Sequence, residues 1–179
     1  MHPRLILDPA RFSITLKRLC YQLIENHDDF SNSVIVGLQP RGVYLSRCIK
    51  DEIKLLTGKD INYGELDTTF FRDDFRIRSL VPATTSMDCI VEGKKVILVD
   101  DVLYTGRSIR AGLDALQHFG RPLHVELLVL VDRRFSRHVP IQPDYVGLTV
   151  DAPFSEKVIL NWQDHHAVAG ITLIREESK

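Results

Sequence analysis

The chain has 179 residues, 44% of them hydrophobic and 26% charged, with a formal net charge of -1. That length suits a single globular domain over 1–179 with a core of its own, and the composition excludes collagen-like, disulfide-stapled and low-complexity classes. The near-neutral balance also argues against a protein that coats nucleic acid with its whole surface; any RNA contact would need a local basic patch.

The elements read in chain order. Asp8-Pro9 is a helix start, and Phe12, Leu16, Leu19, Leu23 and Ile24 fall on one face of a helix expected to end near 26–29. Val34 to Gly37 is a short buried strand, followed by the loop Leu38 to Gly42 and a second amphipathic helix from Val43 to Leu56, stopped by Thr57-Gly58. Ile61 to Phe71 alternates as one or two strands. Arg72 to Asp88 keeps no period and reads as a long mobile loop or hairpin, a kind of segment that is usually functional in a compact domain.

Val96 to Val99 is a buried strand leading through Asp100 and Asp101 into a turn and a helix with Ile109, Leu113 and Leu116 on its apolar face, stopped at Gly120-Arg121-Pro122. Val125 to Val131 lacks alternation, as a central strand does, and Tyr145 to Val150, Val158 to Trp162 and Ile171 to Ile174 are shorter strand candidates. Strands alternating with helices predict an α/β fold with a mainly parallel central sheet flanked by helices. Cys20, Cys48 and Cys89 are odd in number and widely spaced, which suggests thiols in a reducing cytoplasm rather than a disulfide framework or a zinc site. No apolar run approaches the roughly 18–20 residues that span a bilayer, so a soluble cytoplasmic protein without membrane contact is expected.

The chemistry concentrates at 96–108. In parallel sheets ligands gather at the carboxyl ends of strands, where Asp100 and Asp101 sit. Two adjacent carboxylates there need compensation, which a sugar diol or a hydrated Mg²⁺ can supply. Thr105-Gly106-Arg107-Ser108 then opens a helix, where backbone amides and the helix dipole favour a phosphate. Together they fit a ribose 5-phosphate. The bland alternative is an edge-of-sheet Asp pair beside an ordinary turn. A phosphorylation-receiver domain would place such a pair at its start, yet too few residues follow Asp100 to complete one, and a Walker loop is absent.

The string VILVDDVLYTGRS at 96–108 resembles the diphosphoribosyl-binding motif of type I phosphoribosyltransferases. With VGLQPRG at 36–42, DTTFFRDD at 67–74, RAGLDAL at 110–116, GRP at 120–122, LVDR at 130–133 and PDYVG at 143–147, the chain resembles the PyrR family of uracil phosphoribosyltransferases, many of which also attenuate pyrimidine operons by binding RNA. The resemblance implies the type I phosphoribosyltransferase fold with a mobile loop and a small hood. It also implies 5-phosphoribosyl diphosphate and uracil as substrates, UMP as product, Mg²⁺ as cofactor, and a homodimer or homotetramer.

Residue by residue, the resemblance assigns Asp100 and Asp101 to the ribose hydroxyls, directly or through Mg²⁺ waters, and Thr105, Gly106, Arg107 and Ser108 to the 5-phosphate, with Val102, Leu103 and Tyr104 in the same turn. Leu38, Gln39, Pro40 and Gly42 would take the diphosphate, with Arg41 as a planar double donor. Gln39 departs from an expected lysine, and a cis peptide near Leu38–Gln39 would aim a backbone N–H at the ligand. Arg72, Asp73 and Asp74 belong to the closing loop, Arg72 facing the departing diphosphate. Asp100, Asp101, Arg41 and Arg72 form the expected catalytic set.

Val131, Asp132 and Arg133 occupy the base region, with Arg133 or nearby backbone reading uracil carbonyls; the plainer reading of Asp132-Arg133 is a surface ion pair. Tyr104 stands where purine-using relatives carry Asp, which argues against the alternative of a hypoxanthine or guanine transferase. For RNA, Lys17 and Arg18 keep a basic character, whereas Tyr21, Asn26, Gln142 and Leu148 replace expected histidine or cations. A UMP-sensing RNA-binding attenuator with weak catalysis is therefore the second reading. His165-His166 reads as an exposed pair.

Overall fold

The computed structural model describes residues 3–72, 84–153, 155–163 and 167–175. Its elements run β1 (Arg4–Leu7), α1 (Pro9–His27), β2 (Ser33–Leu38), α2 (Gly42–Thr57), β3 (Asn62–Leu66), β4 (Lys95–Leu103), α3 (Arg107–Leu116), β5 (His124–Arg133), β6 (Tyr145–Val150), β7 (Glu156–Gln163) and β8 (Ala167–Arg175). Single 3₁₀ turns follow β3 and α3, at Thr69–Phe71 and Gln117–Phe119.

Five strands form a parallel sheet in the order β3-β2-β4-β5-β6. Its central strands are buried on both faces, and their side chains divide by the two-residue period of a strand. Ile35, Ile97, Val99, Leu128 and Leu130 pack with α1 and α2 through Leu19, Leu23, Leu45 and Ile49. Val34, Val36, Val96, Leu98 and Val129 pack with α3 through Ile109, Ala115 and Leu116 on the other side. The chain leaves β2 toward β3 on one side and returns through β4 on the other. The loops after β2 and β4 therefore diverge, and the crevice between them is the topological switch point of the sheet.

Asp8 caps α1 as its spacing predicts, Oδ1 accepting from the Arg11 amide at 2.8 Å. The second half of the expected 61–71 strand is absent. Asp67 Oδ1 accepts from both the Thr69 amide (3.0 Å) and the Thr69 hydroxyl (2.6 Å), an Asx turn that bends the chain out of the sheet after Leu66. The 72–88 segment lies largely outside the described residues, apart from Arg72 and its return at Thr84 to Asp88, where Ser86 bridges Glu65.

A second, antiparallel sheet of order β1-β8-β7 forms the hood. Sequence reading missed β1, whose four residues carry no internal period and gain their ladder only from β8, more than 160 positions away. No helix is long and apolar enough to cross a membrane among the described residues.

Candidate functional site

A cleft of about 830 Å³ opens at the switch point. One wall is Leu38, Gln39, Pro40 and Arg41, from the turn after β2. The floor runs from Asp100 through Tyr104 at the end of β4, and the opposite wall from Thr105 through Ile109 at the start of α3. Arg72, Arg133 and His138 reach its rim, and Glu156, Lys157 and Val158 bring in the hood.

Gly42 does not line the cleft; it lets α2 begin against β4. A Cβ there would sit 2.4 Å from the Val99 carbonyl oxygen and 3.0 Å from Asp100 Cα, so only glycine permits this approach.

The carboxylate pair is folded on itself. Asp100 Oδ1 accepts from the Asp101 amide at 2.9 Å, and Asp101 Oδ1 accepts from the Val102 amide at 2.7 Å. Asp101 Oδ2 is buried, receives no hydrogen bond from the described residues, and lies 3.3 Å from Arg41 Nε. Burial pushes the Asp100 carboxyl up to about 8, with the charge of Asp101 adding to the shift. Asp101 is also raised by burial, against the pull of the Arg41 guanidinium. The pair is poised to exchange protons for a ligand or cation: a diol would supply donors, and a hydrated divalent cation a compensating charge. Two carboxylates are too few to enclose a cation, which suits Mg²⁺, an ion that keeps several waters and shares its shell with substrate phosphates.

Beside the pair, Gly106 opens α3 at φ 86°, a left-handed conformation that costs glycine nothing. Gly106 brings no side chain to cap this helix, and the Thr105 hydroxyl accepts from the Arg107 amide only at 3.5 Å, so the first turn and the helix dipole present positive potential to the cleft. Arg72 reaches the same turn, donating from Nη1 to Ser108 Oγ at 2.7 Å.

The diphosphate-side loop corrects one expectation. The cis peptide is Gln39–Pro40, not Leu38–Gln39, as follows from the small penalty that proline alone confers. The Gln39 amide donates to the Leu66 carbonyl at 2.9 Å, so it is not aimed at a ligand. The Gln39 side chain turns toward Glu65 Oε2 (3.3 Å) and the Thr84 carbonyl (3.2 Å), and Glu65 is held in turn by Arg47 and Tyr63.

At the base end, Val131 and Asp132 do not line the cleft. Val131 is fully buried in β5, and Asp132 is ion-paired with Arg137. Asp132-Arg133 is thus not a surface pair with each other either. Arg133 is buried at the cleft edge, its guanidinium carbon 4.0 Å from the Tyr104 ring centroid. Its Nη2 donates to the carbonyls of Glu156 (2.8 Å) and Pro153 (3.2 Å), tying β5 to the hood.

Lys17 and Arg18 stand away from the cleft, on α1, beside a shallow groove shared with Ile14, Tyr21, Gln22 and Glu25. Arg18 Nη2 donates to the carbonyls of Val146 (3.0 Å) and Gly147, and Nη1 to Gln22 (3.3 Å), so this guanidinium covers the open edge of β6. Asp73, Asp74 and His165-His166 lie outside the described residues. Sequence reading missed His138, Glu156, Lys157 and Val158. No local signal marks the three hood residues, which reach the cleft only when β7 folds back across the sheet; Ile109, taken as helix core, serves both roles.

The phosphoribosyl transferase domain family matches residues 6–162. The chain is 41% identical over 172 residues to the "Bifunctional protein PyrR" of Lactococcus lactis subsp. cremoris, covering 96% of this chain and 97% of that one. It is 40% identical over 173 residues to the protein of the same name from Elusimicrobium minutum, covering 96% of each. Among solved structures it resembles the hypoxanthine phosphoribosyltransferase of Trypanosoma cruzi with a TM-score of 0.72 at 16% identity, over 97% of both chains, a likeness of fold alone.

Proposed function

The chain belongs to the PyrR family of phosphoribosyltransferases, and from that membership we propose that it transfers the 5-phosphoribosyl group of 5-phosphoribosyl diphosphate to uracil, giving UMP and diphosphate. The observation that carries this reading is the meeting, in one cleft, of the Asp100–Asp101 pair with the amide-rich turn at Thr105 to Ser108.

In the reaction the bond from C1 of the ribose to diphosphate oxygen breaks, the bond from C1 to a ring nitrogen of uracil forms, and that nitrogen loses its proton. Positive charge develops on the ribose as the diphosphate leaves, so catalysis rests on positioning and charge placement. Asp100 and Asp101 hold the ribose hydroxyls and face the developing cation; their burial makes each interaction stronger than it would be in water. Thr105, Gly106, Arg107 and Ser108 hold the 5-phosphate. Arg41, released from Asp101, and Arg72 take the diphosphate, alongside Leu38, Gln39 and Pro40. Mg²⁺, held through water or ribose hydroxyls by Asp100 and Asp101, would offset the charge of the leaving diphosphate. Val102 and Leu103 carry the floor, and Tyr104 with Arg133 forms an aromatic and cationic surface for the base.

That surface, with Tyr104 rather than a carboxylate immediately before Thr105, supports a pyrimidine over a purine. Parallel assays with uracil, hypoxanthine and guanine test the assignment: turnover with uracil is expected, and turnover with a purine alone would overturn it.

RNA-linked regulation is the second reading, favoured by relatives named "Pyrimidine operon regulatory protein". We rank it below catalysis because Arg18 is engaged on β6 and Glu25 sits in the same groove. A gel shift with a pyrimidine-gene leader, tightened by UMP, would reverse that order.

A further inference from the structure

We propose that Arg137 is a positioning residue that aims the phosphate-binding turn from behind. This rests on the phosphoribosyltransferase reading and adds to it a residue that does not line the cleft. The Arg137 guanidinium is mostly buried, its side chain 22% exposed, and it spends its donors on backbone rather than solvent. Nη1 donates to the carbonyls of Leu103 (3.2 Å), Tyr104 and Arg133 (2.9 Å), and Nε to that of Ile141 (3.1 Å). Nη2 meets the Asp132 carboxylate, which fixes the fork and balances its charge.

The β4–β5 ladder ends at Leu103↔Asp132, so beyond it the chain of β4 needs other partners. Segment 136–139 supplies them. Arg137 takes the Leu103 and Tyr104 carbonyls, and the amides of His138 (2.9 Å) and Val139 (3.3 Å) donate to the Thr105 carbonyl. Val139 and Ile141 close the same side of Gly106.

Three consecutive carbonyls thus point toward one segment. In a planar trans peptide the N–H points opposite to the C=O it is joined to. The amides of Tyr104, Thr105 and Gly106 are therefore directed away from the donors of Arg137, His138 and Val139, and all three residues line the cleft. Fixing the carbonyls fixes the aim of the amides. A lysine could keep the charge but not the fork that reaches several carbonyls at once.

The Asp132 carboxylate, expected from sequence to belong to the base site, instead serves this clamp.

The test compares two ligands by calorimetry, both with Mg²⁺: 5-phosphoribosyl diphosphate, which needs the turn, and inorganic diphosphate, which does not. Arg137→Ala should weaken the donor by roughly tenfold or more while leaving diphosphate within about twofold. Arg137→Lys should show the same selective loss, smaller in size, and Asp132→Asn a partial one; these milder variants carry the test if the alanine form does not fold. Millimolar guanidinium should restore donor binding to Arg137→Ala. Equal losses for both ligands, or unchanged donor affinity, would overturn the positioning role. A wild-type protein that binds neither ligand would instead overturn the transferase reading, and this inference with it.

Discussion

Replacing Asp100 by asparagine should make the protein more stable, and increasingly so as the pH rises. The folded structure raises this carboxyl from 3.8 to about 8, through burial first and the charge of Asp101 second. Between those values the native state keeps a proton that the unfolded chain has released. The unfolded state therefore binds fewer protons, and stability falls as pH rises through the window. Asparagine keeps an oxygen to accept from the Asp101 amide but cannot ionise.

At about 1.4 kcal/mol per pH unit the full displacement would come to roughly 6 kcal/mol. Asp100 is only half-buried, and water at the cleft mouth reduces this to an expected ~1–3 kcal/mol at pH 8. For a chain of this size that is a gain of roughly 3–10 °C in Tm. Thermal melts of wild type and Asp100→Asn at pH 5, 6.5 and 8, without ligand, should give a gap that opens with pH. A gap that is constant, or that closes toward pH 8, would refute the claim that the pair is held against its preferred charge state for function.

The same logic applies to ligand binding: donor with Mg²⁺ should bind more tightly as pH rises toward 8 and release protons on binding, read as a buffer-dependent heat. Asp101→Asn should lower turnover by well over tenfold, since it removes a contact made strongest in the transition state; near-normal rates would mean a structural carboxylate. Burial pushes the Cys20 thiol up to about 12 and Cys48 to about 11, so under native conditions a thiol reagent should modify half-exposed Cys89 first and the other two only on unfolding. Asp8→Ala should cost about 0.5–2 kcal/mol by uncapping α1, measured by denaturant melts, without moving KM.

The α/β class and its mainly parallel sheet were legible because β2, β4 and β5 are continuous apolar runs that only a doubly covered sheet accommodates; the order of the strands was not. The cleft's floor was legible for a related reason: Asp100 to Ser108 is contiguous, so one stretch of chain carries both the carboxylates and the turn. What stayed hidden depends on long-range closure. The hood forms from strands at opposite ends of the chain, so the approach of Glu156 to Val158 has no local signature. Asp132 and Arg18 carry charges that look available for ligands until the fold supplies Arg137 to one and the carbonyls of β6 to the other. Charge in a sequence is a capacity, and tertiary contacts decide where it is spent.

A crystal structure with UMP bound probes the central claim most directly. The account predicts the phosphate on the backbone amides of the turn at Thr105 to Ser108 and the ribose hydroxyls within hydrogen-bonding distance of Asp100 or Asp101. UMP lodged elsewhere, with that turn and the carboxylates untouched, would contradict it.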